Sequence, residues 1–250
     1  MRPAISKASR QVLYEAGTLV GKRHRLALAT ARRRGHGVVL TPDTEIVIEG
    51  YPRSGNSFAV AAFEQAQRRP VRIAHHTHTP AHVIAAIRAG IPALVLVRDP
   101  GEACVEFVMM KEFLSLRQAL RGYVRFYEPL RRYRDGFVVG AFPDVVSDFG
   151  AVMARVNARF GTAFTPFDHT EENVRSCREA IDGYWRSRTG PGLPLVGRSA
   201  PAGADHSHDA GDREGLLRRR YGDQALEWAR AKAEFLFRSL SDRAPKNAIE

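Results

Sequence analysis

The sequence predicts an α/β fold, a central parallel sheet flanked by helices. Three observations carry this. From residue 45 onward, short β-branched or apolar runs alternate with longer segments of helical period. One run, ALVLV at 93–97, is apolar at every position, as a central strand covered on both faces must be. The first run ends in a glycine-containing turn that opens directly into a helical segment.

Each element follows in order. Residues 45–49 (EIVIE) are short and β-branched and read as a buried strand. Residues 57–68 read as a helix with Phe58, Ala62 and Phe63 on one face. Residues 71–75 form a second strand, and 80–89 a short helix with Pro80 near its start, where a missing N–H costs nothing. The strand at 93–97 follows. Residues 101–133 read as largely helical with a break at Pro129. A fourth strand is expected at 137–142, then a helix near 147–159 that stops at Gly161. Residues 187–212 hold Pro191, Pro194 and Pro201 with glycines, serines and HSHD, and read as a loop able to close over a site. Residues 213–240 read as one or two final helices, and no internal repeat is present.

Composition narrows the class. The 250 residues are 44% hydrophobic and 26% charged, which excludes a disordered chain or a disulfide-built miniprotein. No apolar run approaches the roughly 18–20 residues that span a bilayer, and MRPAISKASR lacks the apolar core of a secretory signal. Two cysteines, Cys104 and Cys177, are too few for a disulfide framework; a cytoplasmic chain is expected. The net charge of +11 calls for an anionic partner. Residues 1–36 hold nine Lys and Arg against Glu15 alone, so this segment supplies +8 of the +11. It reads as a basic helical arm, 1–36, before a domain at 37–250. Val12, Leu19 and Leu26 recur every seven residues, flanked by Leu13 and Val20. The arm is either a surface helix drawn to anionic lipid or nucleic acid, or a solvated helix packed on the domain.

The turn Gly50-Tyr51-Pro52-Arg53-Ser54-Gly55-Asn56-Ser57-Phe58 joins the first strand to the first helix of the domain. Backbone N–H groups at such a helix start attract an anion, and Gly55 lets the backbone approach a phosphate closely. Gly50, Gly55 and Ser57 keep the spacing of the nucleotide-triphosphate loop, but Asn56 stands where its lysine belongs. The cation is instead Arg53, inside the loop.

YPRSGNSF resembles the 5′-phosphosulfate loop of sulfotransferases that use 3′-phosphoadenosine 5′-phosphosulfate (PAPS), usually YPKSGTTW. Arginine at the lysine place also occurs in that superfamily. The resemblance implies a P-loop-like three-layer sandwich and a sulfuryl transfer from PAPS to a hydroxyl acceptor. It implies that the amides of Ser54, Gly55, Asn56 and Ser57 bind the 5′-phosphate, that Arg53 stabilises the bridging oxygen, and that Phe58 stacks near adenine. Thr77-His78-Thr79-Pro80 resembles the family's KTHLP-like segment and makes His78 the catalytic base, with His76 on the lysine position. Arg98-Asp99-Pro100 resembles R-[ND]-P, whose arginine binds the 3′-phosphate. The serine that usually follows eight residues later is Glu106 here, so either Glu106 turns away or the phosphate is held differently. Phe142-Pro143-Asp144-Val145 resembles YEDL and brings Phe142 near adenine; Gly197-Arg198-Ser199 is a faint counterpart of the C-terminal clamp on the 3′-phosphate, through Arg198. The resemblance covers about residues 45–165. It implies a small-molecule, carbohydrate or lipid acceptor, no metal and no nucleic acid; peripheral membrane contact through residues 1–36 is open on the charge of the arm alone.

Rival readings stay open on the same residues. An apolar strand ending in Asp99 is also the pattern of a magnesium-binding strand, which gives a kinase or phosphotransferase with a modified loop. His78 and His82 have the i, i+4 spacing of a metal pair, although Pro80 lies between them. A non-catalytic module that binds lipid or nucleic acid through its basic arm is the third.

Overall fold

The computed structural model of the chain describes residues 6–20, 37–189 and 208–241. Four strands, β1 (Ile46–Gly50), β2 (Ile73–His75), β3 (Ala93–Val97) and β4 (Val138–Ala141), form one parallel sheet in the order β2-β1-β3-β4. All five residues of β1 and of β3 are buried. Side chains alternate across the sheet. Ile46, Ile48, Leu94 and Leu96 pack on one side with Phe63, Val152 and Met153 from α2 (Asn56–Ala66) and α7 (Phe149–Phe160). The same layer takes in Cys177 of α8 (Glu171–Thr189). Val47, Val95 and Val97 face the opposite layer, built by α3 (Pro80–Arg88), α4 (Pro100–Met110), α5 (Leu116–Tyr127) and α10 (Glu227–Ser241). The result is the predicted α/β architecture: a central parallel sheet with helices on both faces. Burying Leu94 or Leu96 fully contributes about 1.5–3 kcal/mol each.

Helix starts explain where the chain turns at the top of the sheet. Pro80 and Pro100 open α3 and α4 behind the N-caps Thr79 and Asp99. Asp99 Oδ1 accepts from the N–H of Gly101 at 2.8 Å and of Glu102 at 3.2 Å. α7 closes at the expected residue, Gly161, whose φ of 65° makes it a left-handed cap.

Several boundaries differ from the sequence reading. The segment 101–133 is not one helix. α4 ends at Met110, and α5 begins anew from a Ser115–Gln118 capping box. After Tyr127 the chain tightens into a 3₁₀ stretch, Glu128–Gly136, at Pro129. The fourth strand stops at Ala141, because Phe142-Pro143 starts the short helix α6 (Phe142–Ser147). The expected loop at 187–212 is helical at both ends: α8 runs on to Thr189, and α9 (His208–Tyr221) already includes 208–212. α8 was not foreseen at all. Its signal is Thr170-Glu171-Glu172, a cap followed by two acids, with Thr170 Oγ1 accepting from Asn173 N–H at 3.2 Å. Arg198 and most of the basic arm lie outside the described residues. The described part of the arm is α1 (Lys7–Val20), which rests on α5.

Candidate functional site

The sheet order makes neighbours of three segments far apart in sequence. β2, β1 and β3 are adjacent and parallel, so the segments leaving their C-terminal ends emerge side by side. These are Thr77–Thr79, the turn at 50–57 and Arg98–Pro100.

The turn is braced from below. Tyr127 Oη donates to the carbonyl of Leu96 at 2.7 Å and accepts from Tyr51 N–H at 3.2 Å. Tyr51 Oη donates to the carbonyl of Ala119 at 2.9 Å. Burial pushes both phenols up, so they remain donors. Asn56, at the place of the usual lysine, is buried and holds the carbonyl of Tyr51 through Nδ2 at 3.0 Å. It is a brace rather than a cation substitute. Ser54 is fully buried and its hydroxyl lies 3.4 Å from Tyr127 Oη, so it is turned into the core. Ser57 Oγ is 3.2 Å from His76 Nε2. Gly55 caps α2 at φ 89°, and a Cβ there would lie 3.3 Å from the Phe142 ring. Arg53 also has positive φ, 70°. Phe58 packs edge-on against Phe167, 6.1 Å between ring centroids, and tilted against His169 at 5.8 Å.

His78 is fixed to this turn. Its Nδ1 lies 2.8 Å from the Gly50 carbonyl. A carbonyl only accepts, so Nδ1 carries the hydrogen and Nε2 is the basic nitrogen. His78 is at φ 49° and His76 at φ 58°, conformations that cost roughly 1–3 kcal/mol each outside glycine. They are held by a group the sequence reading did not single out, Glu49. Its fully buried carboxylate accepts from Thr77 N–H and Thr77 Oγ1, both at 2.7 Å, and from His78 N–H at 3.1 Å. It also accepts from His82 Nδ1 at 2.9 Å. His82 Nε2 accepts from Leu40 N–H at 2.9 Å, so its hydrogen is on Nδ1, directed at Glu49. Burial alone would push the Glu49 carboxyl up. The hydrogen bond and positive potential of His82, with His78 and Thr77, outweigh it and hold the group down to about 2. His82 is thereby committed to Glu49 and Leu40. His75 is held below its ordinary range by burial, and its Nδ1 is 2.6 Å from His76 Nδ1.

Arg53 and Arg98 meet at Glu106. Arg53 donates to Glu106 Oε2 from Nε at 3.0 Å and from Nη2 at 2.7 Å. Arg98 Nη2 donates to the other oxygen, Oε1, at 2.6 Å. Arg98 also reaches Glu102 at 2.9 Å and the Arg53 carbonyl at 3.0 Å. Its guanidinium sits 3.9 Å over the ring of Phe142. Glu106 therefore does not turn away: it lies between the two cations assigned to the donor. Asp99 is engaged as the cap of α4. Two surface clefts, about 260 Å³ near Arg69 and Val71 and about 350 Å³ near Arg88 and Tyr133, include neither the turn nor His78 or Arg98.

Chemically, these residues combine a helix N-terminus, two guanidinium groups and an imidazole of defined tautomer. Such a set can hold an anion and take a proton. No protein-family model matches the chain, and no curated protein matches it. Sixteen chains of solved structures do. Among them is the crystal structure of mouse sulfotransferase SULT7A1 complexed with PAP, similar at 10% sequence identity and a TM-score of 0.42, over 84% of this chain and 92% of that one.

Proposed function

We propose that the protein transfers a sulfuryl group from PAPS to a hydroxyl acceptor. The observation that carries this reading is the anchoring of His78 on the turn itself, through the Gly50 carbonyl, which puts the ring hydrogen on Nδ1 and makes Nε2 the basic nitrogen. Proton acceptor and anion-binding turn are thus one rigid unit, as in-line transfer beside a phosphate requires.

The acceptor oxygen attacks sulfur, and its proton passes to His78 Nε2. The new O–S bond forms as the S–O bond to the 5′-phosphate breaks, and the electron pair stays on the phosphate. Arg53 and the first amides of α2 stabilise that charge. Arg53 acts electrostatically, through the charge of its guanidinium. Arg98, stacked on Phe142, serves the 3′-phosphate, with Phe142 and Phe58 toward the adenine. Arg53 and Arg98 must exchange Glu106 for the donor's phosphates as it binds. The acceptor is a small molecule, carbohydrate or lipid alcohol.

Calorimetry with 3′,5′-adenosine bisphosphate against ATP–Mg²⁺ tests the class. Binding of the bisphosphate without metal, tighter than ATP–Mg²⁺, is the expected result. Preference for ATP with an absolute need for magnesium would give the site to phosphoryl transfer.

A further inference from the structure

α1 packs on the domain through its polar face. Gln11 Nε2 donates to the Phe113 carbonyl at 2.7 Å. Arg125 Nη1 donates to the Glu15 carboxylate and, at 2.7 Å, to Thr18 Oγ1. Tyr14 sits against Phe107, ring centroids 5.9 Å apart, and directly over Gly122, where a Cβ would lie 2.0 Å from its hydroxyl oxygen. These four side chains define the docked side. The 100° step between helix residues puts Leu13 and Ala16 opposite that side, with Val12 and Leu19 along its flank. The exposures agree: Val12 is 67%, Leu13 52% and Leu19 52% exposed, and Ala16 is exposed too. A helix held on a soluble domain normally turns its apolar stripe inward. This one turns it out.

Charge identifies what the stripe meets. Lys7 and Arg10 are exposed on α1. The sixteen residues that follow it, 21–36, add Lys22, Arg23, Arg25, Arg32, Arg33 and Arg34 without one acid. A second copy would bring the same positive charge to the contact, and a nucleic acid has no use for an aliphatic stripe. An anionic lipid surface takes both, the apolar side chains below the headgroups and the cations among them. We infer that α1 is an interfacial membrane helix, which seats Val12, Leu13, Ala16 and Leu19 in an anionic bilayer surface while its polar face keeps the domain attached. This holds whatever the catalytic site transfers.

Cosedimentation of the full chain with large vesicles tests it, comparing pure phosphatidylcholine with a mixture containing about 30% phosphatidylglycerol. Anionic vesicles should bind the chain about tenfold or more tightly than neutral ones. The triple variant V12S/L13S/L19S should lose about tenfold or more of that affinity with an unchanged melting temperature, because these side chains touch solvent. Absence of binding to anionic vesicles overturns the inference. So does binding that the triple variant retains in full and high salt abolishes, which would be adsorption by the basic segment alone. A concentration-dependent dimer that the triple variant loses, without vesicle binding, would assign the face to a second copy and overturn it equally.

Discussion

Replacing Glu106 by Gln keeps the shape of the side chain and removes the anion that now bridges Arg53 and Arg98. The bridge is close: 2.7 Å and 3.0 Å to Arg53, 2.6 Å to Arg98, with the carboxylate side chain only 23% exposed. At an effective dielectric near 20, a unit charge pair 4 Å apart is worth about 4 kcal/mol. A phosphate entering the site recovers most of what its arginines lose, so only part of that sum opposes binding. An exchange penalty of about 1.4–2.7 kcal/mol remains, which is a factor of roughly 10–100. Glu106→Gln should accordingly bind 3′,5′-adenosine bisphosphate about 10–100-fold more tightly than the wild type, measured by calorimetry. The unliganded variant should lose about 1–3 kcal/mol of stability, since two mostly buried cations lose a partner. The bisphosphate should restore it, so the ligand-induced rise in melting temperature is larger in the variant. Unchanged or weaker binding by Glu106→Gln would mean that the arginines are not the groups that meet the donor.

Two further predictions follow from the same site. His78→Ala should lower turnover by roughly 10²–10⁴-fold with bisphosphate affinity nearly intact, and equal turnover would remove His78 from the chemistry. Glu49 has a depressed folded-state pKa, about 2 against an ordinary 4.5, so its contribution is complete above the ordinary value and is lost as pH falls toward 2. That loss is on the order of 3 kcal/mol. Melts between pH 6 and 3 should show a steeper decline in the wild type than in Glu49→Gln, and parallel declines would contradict the assignment.

The fold was legible because its signals are local. ALVLV marks a strand buried on both faces, and strand β3 has those five residues and no others. Pro80, Pro100 and Gly161 mark helix ends by their own backbone chemistry, and each lies at one. The turn at 50–57 was legible for the same reason, as a short pattern whose residues are close in sequence. α8 went unread although its cap was visible, because its mean composition is polar and its apolar contacts, such as Cys177, are sparse along nineteen residues. The break after Met110 was also missed, because Ser115 and Gln118 signal a new start only once the helix before them is known to have ended.

What the sequence hid is the pairing of charges across elements. Glu49 is an unremarkable letter at the end of a strand, and Glu106, though it stands where the resemblance expects a serine, does not say which cations it meets. Yet Glu49 stands in a β1 otherwise made of Ile, Val and Gly, with every residue buried. An acid in such a strand has to be met by donors, because an unpaired buried carboxylate costs far more than folding can supply. That signal was present and pointed to a nearby histidine; only the parallel register, Ile48 against His75, says which histidines come within reach. Glu106 offered a weaker sign, its place eight residues beyond Arg98. On α4 that is a little over two turns, too far for a contact along one helix face and close enough for one only because Arg98 lies before the helix starts and folds back over it. The two carboxylates then have opposite consequences. Glu49 is enclosed by fixed donors and sets the backbone that carries His78, whereas Glu106 bridges the two guanidinium groups that the proposed donor would have to reclaim. One fixes the backbone of the site, and the other, together with Glu102, balances the charge of the two guanidinium groups.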